Sequence, residues 1–184
     1  MTDFKFQKDS QGIATITWDC PGKSMNIMTF DAMILLDKLI DEVLSDQTIK
    51  GAIINSGKKD FAAGMDLNIL AKWKKNTGNA PAHEIFDSIM FMHKMFRKIE
   101  RAGMEPNSNN GGKPIVTVMS GTALGIGFEL PLATHRIFAA NNPKAKIGLP
   151  EIMVGLFPGA GGSVRLVRKL GAMAAAPYLL EGKT

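Results

Sequence analysis

The period of apolar and polar positions changes several times along the chain, and each change marks an element. Residues 12–18 (GIATITW) alternate small and large side chains between turn signals and read as a strand, broken by Asp19-Cys20-Pro21-Gly22-Lys23. From residue 29 to 45, Met33, Leu36, Ile40 and Val43 recur at helical spacing, with Thr29 as N-cap and Asp31 in the first turn. Residues 51–55 (GAIIN) form a short run rich in branched side chains, the pattern of a buried strand, and Lys58 to Phe61 is the loop beyond it. A second helix is predicted over residues 83–102, where Ile85, Ile89, Met92, Phe96 and Ile99 make one stripe widened by Phe86, Met90 and Met95. Glu105 to Gly112 (EPNSNNGG) suits neither helix nor strand and reads as an exposed loop. Residues 114–119 (PIVTVM) have a buried-strand pattern. A helix is predicted from about Gly125 to Thr134, with Pro131 early in it, where a missing N–H costs least. A strand over residues 135–139 follows. Strand and helix alternate throughout, which predicts an α/β fold with mostly parallel pairing.

Composition narrows the class. A length of 184 residues suits one domain over 1–184, and 45% hydrophobic with 21% charged residues is ordinary for a globular chain. The single Cys20 excludes an internal disulfide framework and a cysteine-rich zinc module, and fits a reducing compartment. The polar start MTDFKFQKDS lacks a secretory apolar region, and no stretch reaches the roughly 18 apolar residues of a membrane span, so a cytoplasmic location is expected. The formal charge of +5 favours anionic partners without choosing among them. Its basic clusters are short: Lys58-Lys59, Lys72-Lys74-Lys75, Lys94-Arg97-Lys98-Arg101 and Arg165-Arg168-Lys169. The third lies on a predicted helix, where a solvated face is the plain reading, and no aromatic interleaving points to nucleic acid. Methionine, at 12 residues, is abundant; adaptable core packing explains it better than a partner groove.

Several chemistries fail on spacing. Gly125-Ile126-Gly127 and Gly159-Ala160-Gly161-Gly162 lack the third glycine of a dinucleotide fingerprint, with Leu130 and Val164 in its place, and no phosphate-binding GxxxxGK[ST] occurs. His83-Glu84 has Asp87 where a zincin needs its second histidine, and His83, His93 and His135 are scattered. Ser120 lacks a nucleophile-elbow pattern. No metal is called for.

Two carboxylates in apolar company remain. Glu129 sits between Phe128 and Leu130-Pro131-Leu132, and Glu151 is the sole charge in Ile147–Gly155. Desolvation raises such a carboxyl's pKa and keeps a proton available near neutrality, so two of them facing one cleft would supply acid and base together. The plainer alternative is that each caps a helix or pairs with a base. Backbone amides at Gly125-Ile126-Gly127 and in Phe61-Ala62-Ala63-Gly64-Met65-Asp66-Leu67, where a loop turns into a helix, are candidate donors to a developing oxyanion; close packing alone would also explain the glycines.

These residues resemble the crotonase superfamily of enoyl-CoA hydratases and isomerases, and look closest to the N-terminal hydratase/isomerase domain of bacterial multifunctional fatty-acid oxidation proteins. Four blocks in order carry the resemblance: Pro21-Gly22-Lys23-Ser24-Met25-Asn26, residues 61–67, residues 121–129, and Leu149-Pro150-Glu151 through residues 157–162. It implies a spiral of ββα units, usually trimeric, with Glu129 and Glu151 catalytic and the Met65 and Ile126 amides forming an oxyanion hole. The loop Lys23, Ser24 and Met25, with Ala62, Ala63, Gly64, Asp66 and Gly125, would line the coenzyme A and substrate track. Coenzyme A is then part of an acyl-CoA thioester substrate and no separate cofactor is needed. The implied reaction is hydration of a trans-2-enoyl-CoA in fatty-acid β-oxidation; Δ3-Δ2 isomerisation and a CoA-thioester-binding fragment without turnover are alternatives. Two departures stand out. Ile126 occupies a position where the family usually has glycine, which constrains the backbone and narrows acyl room. The chain also reaches Thr184 without the C-terminal helices of relatives, so exposed apolar surface and self-association are expected.

Overall fold

The computed structural model describes residues 2–68 and 80–184. In chain order the elements are β1 (Phe4–Lys8), β2 (Ile13–Trp18), α1 (Phe30–Ser45), β3 (Gly51–Ser56), α2 (Ala82–Arg101), β4 (Ile115–Met119), β5 (Ala123–Leu124), α3 (Ile126–Ala133), β6 (Arg136–Ala139), β7 (Ile147–Gly148), a 3-10 turn (Pro150–Val154), α4 (Gly162–Leu170) and α5 (Ala172–Leu180). The main sheet runs β1-β2-β3-β4-β6. Only β1 and β2 pair antiparallel; the other neighbours are parallel. Helices α1, α2 and α3 each lie in one of the three parallel crossovers, as the alternating pattern predicts.

A second, short ladder stands beside the sheet. Met28 bridges Met65, Ala62 bridges Ala123, and β5 pairs parallel with β7. Each main strand from β2 onward is therefore followed by a short ladder segment before the chain turns helical, which is the expected ββα repeat. The two-residue strands carry too little pattern to be read from sequence.

Local chemistry explains the helices. Thr29 Oγ1 accepts from the Ala32 amide at 3.0 Å, the predicted N-cap of α1. At its other end Lys113 Nζ donates to the carbonyls of Val43, Leu44 and Asp46 at 2.8, 3.0 and 2.8 Å, satisfying groups the helix leaves open. In β2, Ala14, Ile16 and Trp18 face the core, where the Trp18 ring stacks on Phe4 and meets Phe61 edge-on.

Some expectations change. The α2 stripe is core only toward its C-terminal end, where Met95, Phe96 and Ile99 are buried, while Phe86 is exposed. Pro131 is the sixth residue of α3, beyond its first turn, and the helix ends two residues later. β1, α4 and α5 lie outside the elements expected from the pattern. The helix expected after Asp66 begins at Leu67 and Asn68; its continuation and the Lys72-Lys74-Lys75 cluster lie outside the described residues. The basic face of α2 is largely spent within the fold: Arg97 pairs with Glu100, Lys98 with Asp37 and Asp41, and Arg101 holds the carbonyls of Glu105 and Ser108. Lys58 likewise pairs with Asp19, whose carboxyl Lys5 and Lys58 together hold at about 2.

Asn26 joins the two layers. Its buried side chain donates to the carbonyls of Trp18 and Phe61 at 2.9 Å each and to Ser56 Oγ at 3.0 Å, while its oxygen accepts from the Cys20 amide at 2.9 Å. The ends of β2 and β3 and the 61–66 loop thus share one amide group. Asn26→Ala strands these partners without water and is expected to cost about 2–4 kcal/mol, read as a lower midpoint of urea unfolding.

Candidate active site

Glu129 is the fourth residue of α3, and its depth follows from the glycines before it. Gly125 caps the helix at φ +54°, a conformation open to glycine, so the tight entry into the helix falls on Gly125. Ile126 itself does not carry a positive φ, and the side chain at this position therefore imposes no backbone strain. Gly127 allows close packing: a Cβ there would lie 2.6 Å from that of Ala62.

The carboxylate of Glu129 is 2% exposed, and its Oε1 accepts from the amides of Ala160 at 2.9 Å and Gly162 at 2.7 Å. Gly162 opens α4, so Glu129 caps a helix, as the plainer alternative expects. A Cβ on Gly162 would sit 2.8 Å from Glu129 Oε1, which explains the glycine. Burial pushes the Glu129 carboxyl up to about 7; Glu151 adds to the rise, while the Gly162 and Ala160 amides and the Arg165 charge restrain it.

Glu151 sits in the 3-10 turn, held next to Gly125, where an added Cβ would lie 3.1 Å from its Oε1. Burial raises its carboxyl too, and its Oε2 is buried without a hydrogen-bond partner among the described residues. No basic side chain within salt-bridge distance accompanies either glutamate among the described residues.

Both carboxylates line one cavity of about 680 Å³. Of the sequence candidates, Lys23, Ala63, Gly64, Met65, Asp66, Gly125 and Ile126 line it as well. Ser24 and Met25 are on the adjoining loop and do not, and Ala62 is fully buried behind the wall. The Met65 and Ile126 amides donate to no backbone or side-chain acceptor among the described residues, because neighbouring bonds run from Met28 to the Gly64 carbonyl and from Asp66 to the Met28 carbonyl. Two residues with free N–H groups and two glutamates thus line one apolar space, a set of groups suited to moving protons beside a stabilised oxyanion.

The structure adds participants that spacing did not reveal. Met92, Leu156 and Phe157 supply apolar wall, and the Ala160 and Gly162 amides hold Glu129. The Gly-rich run 159–162 was the available signal for those amides. Met153 and Phe157 are 71% and 77% exposed at the cavity, which gives the expected apolar surface. Among the described residues no group of three or more His, Cys, Asp or Glu could hold a metal ion, and no helix is long and apolar enough to cross a membrane.

Comparison with known proteins decides the family. The profile described as Enoyl-CoA hydratase/isomerase matches residues 8–184. This chain belongs to the enoyl-CoA hydratase/isomerase family. It is 34% identical over 181 residues to the fatty acid oxidation complex subunit alpha of Shewanella halifaxensis (strain HAW-EB4), covering 98% of this chain and 23% of that protein. The corresponding subunit of Shewanella oneidensis is 33% identical, with 98% and 24% covered. An enoyl-CoA hydratase structure from Geobacillus kaustophilus HTA426 superposes with a TM-score of 0.83 at 26% identity, over all of this chain and 62% of that one. One from Shewanella pealeana ATCC 700345 gives 0.82 at 18% identity, covering 98% and 62%. The chain spans about a quarter of those curated relatives and under two thirds of those solved structures. The family's crotonase fold is the one expected from the four sequence blocks.

The raised carboxyl of Glu129 makes stability depend on pH. Between roughly pH 4.5 and 7 the folded chain holds a proton that the unfolded chain has released, so stability falls as pH rises through that window. The loss approaches about 3 kcal/mol above it. Glu129→Gln lacks this titration, so its unfolding free energy relative to the parent is expected to rise between about pH 5 and about pH 8, measured by urea unfolding at each.

Proposed function

We propose that residues 1–184 form one hydratase unit that adds water syn across a trans-2-enoyl-CoA, giving 3-hydroxyacyl-CoA in fatty-acid oxidation. The observation that carries this reading is the pairing of two unbridged, desolvated carboxyls with two free amides on one cavity wall. In it, the thioester oxygen lies between the Met65 and Ile126 amides, which stabilise the enolate-like charge that develops as the double bond is attacked. Glu129 orients water and takes one proton as the hydroxyl joins Cβ; Glu151 delivers a proton to Cα. The turnover leaves Glu129 protonated and Glu151 ionised, and a proton moved between them restores the pair. With Glu129 near 7, its protonated and ionised forms are both populated at neutrality, and burial raises the Glu151 carboxyl as well.

Lys23, Ser24 and Met25, with Ala62, Ala63, Gly64, Asp66 and Gly125, are proposed to form the coenzyme A and substrate track. Lys23 supplies positive charge for the phosphates. Coenzyme A enters as part of the substrate, and no further cofactor takes part. The exposed apolar rim supports association of copies, with a trimer the arrangement proposed, and work in the cytoplasm is consistent with the absence of a membrane-crossing helix among the described residues.

Hydration of a short trans-2-enoyl-CoA tests this directly, followed by loss of the conjugated absorbance. Turnover by the parent chain is expected, with Glu151→Gln and Glu129→Gln each slower by about a hundredfold or more. Equal rates in parent and Glu151→Gln would sink the two-carboxylate mechanism. Tight thioester binding by a folded parent without turnover would instead favour the binding-fragment alternative.

A further inference from the structure

Arg165 stands behind the cavity wall, in the first turn of α4, and is buried. Its Nη1 donates to the Ala160 carbonyl at 3.0 Å, and its Nη2 meets Glu100 Oε2 on α2 at 3.3 Å. Ala160 is the residue whose own amide donates to Glu129, so the guanidinium grips the other end of that contact. Gly161 admits it: with φ +93°, this residue takes the loop through a left-handed turn, and a Cβ there would lie 2.5 Å from Nη1. The 159–162 loop is therefore fitted around Arg165 on one side and Glu129 on the other.

We propose that Arg165 is a positioning residue for Glu129: it clamps the 159–162 loop so that two amides converge on one carboxylate oxygen, and Glu100 tunes its charge. This rests on the role given to Glu129 above. A fork-shaped, permanently charged side chain suits the task, since it binds a carbonyl and a carboxylate at once.

The charged groups around this relay set opposite expectations for its two ends. Glu129 faces Glu151 from the 3-10 turn and Arg165 from α4. Arg165 faces Glu100 from α2, which Arg97 also contacts at 2.6 Å. Outside Glu100 and Arg165, a small pocket of about 210 Å³ is shared with His135, Arg168 and Lys169. Burial lifts the Glu100 carboxyl, but Arg97 and Arg165 outweigh it, so Glu100 stays ionised and offsets part of the Arg165 charge. Removing Arg165 withdraws positive charge and loosens the amides, both of which disfavour ionised Glu129. Removing the charge of Glu100 leaves Arg165 less neutralised and favours it.

The test is the titration of the Glu129 side-chain carboxyl, followed by carbon-13 NMR of glutamate-labelled full chain and assigned by its loss in Glu129→Gln. Arg165→Gln is expected to move the midpoint up and Glu100→Gln to move it down, while Arg165→Lys, which keeps the charge, returns it toward the parent. In hydration assays Arg165→Gln is expected to lower kcat by up to about a hundredfold, more than it changes KM, because a displaced base misaligns the reacting groups. Shifts of the same sign in Arg165→Gln and Glu100→Gln, or lower thermal stability with no shift in either, would overturn the proposal. If Arg165→Gln does not fold, a Glu100→Gln midpoint that is unchanged or raised overturns it by itself. Opposite shifts in a parent without turnover would retain the clamp and reject the hydratase reading.

Discussion

The structure turns on keeping one carboxylate dry. Glu129 is removed from water, and two amides at one oxygen replace part of what hydration would have provided. That replacement is incomplete, which is why the carboxyl is pushed up to about 7. The same imbalance that weakens the fold at high pH is what the proposed proton-accepting role draws on. Neighbouring features serve this arrangement. Gly125 turns the chain into α3, Gly127 brings that helix against Ala62, and Gly162 leaves room for the carboxylate to reach its amides.

The two-layer architecture explains how distant segments meet there. The main sheet places the ends of β2, β3 and β4 side by side, and the short ladder through Met28, Ala62 and Ala123 carries the following loops across them. Asn26 ties the first two of these crossings through four hydrogen bonds. The Met65 amide is left free because Met28 pairs with the Gly64 carbonyl and the Asp66 amide, the groups that flank Met65. The free amide that the proposed function uses is thus a by-product of parallel pairing, in which alternate amides point away from the partner. The Ile126 amide is free for a different reason, being at the first position of a helix.

Much of this was legible before any coordinates. Period located α1, β2 and α2, whose apolar spacing records a buried face, and short runs rich in branched side chains located β3 and β4. The two carboxylates stood out because an isolated charge in an apolar run is costly without a purpose. Reading residues 4–8 as polar hid β1, although Phe4 and Phe6 alternate there, and the short α4 and α5 gave no comparable repeat. The Lys23–Met25 loop was proposed as a unit, yet only Lys23 reaches the cavity lining.

The sequence by itself determined the alternation of strand and helix, the isolation of Glu129 and Glu151, and the glycines that permit unusual turns, since these depend on neighbours in the chain. Only the tertiary structure decided that the carboxylates share a cavity, that Ala160 and Gly162 hold one of them, and that Arg165 grips the loop doing so. It also decided that the strain feared at Ile126 falls on Gly125 instead. Such facts depend on which atoms meet across 31 or 33 residues of chain, and local spacing carries no record of them.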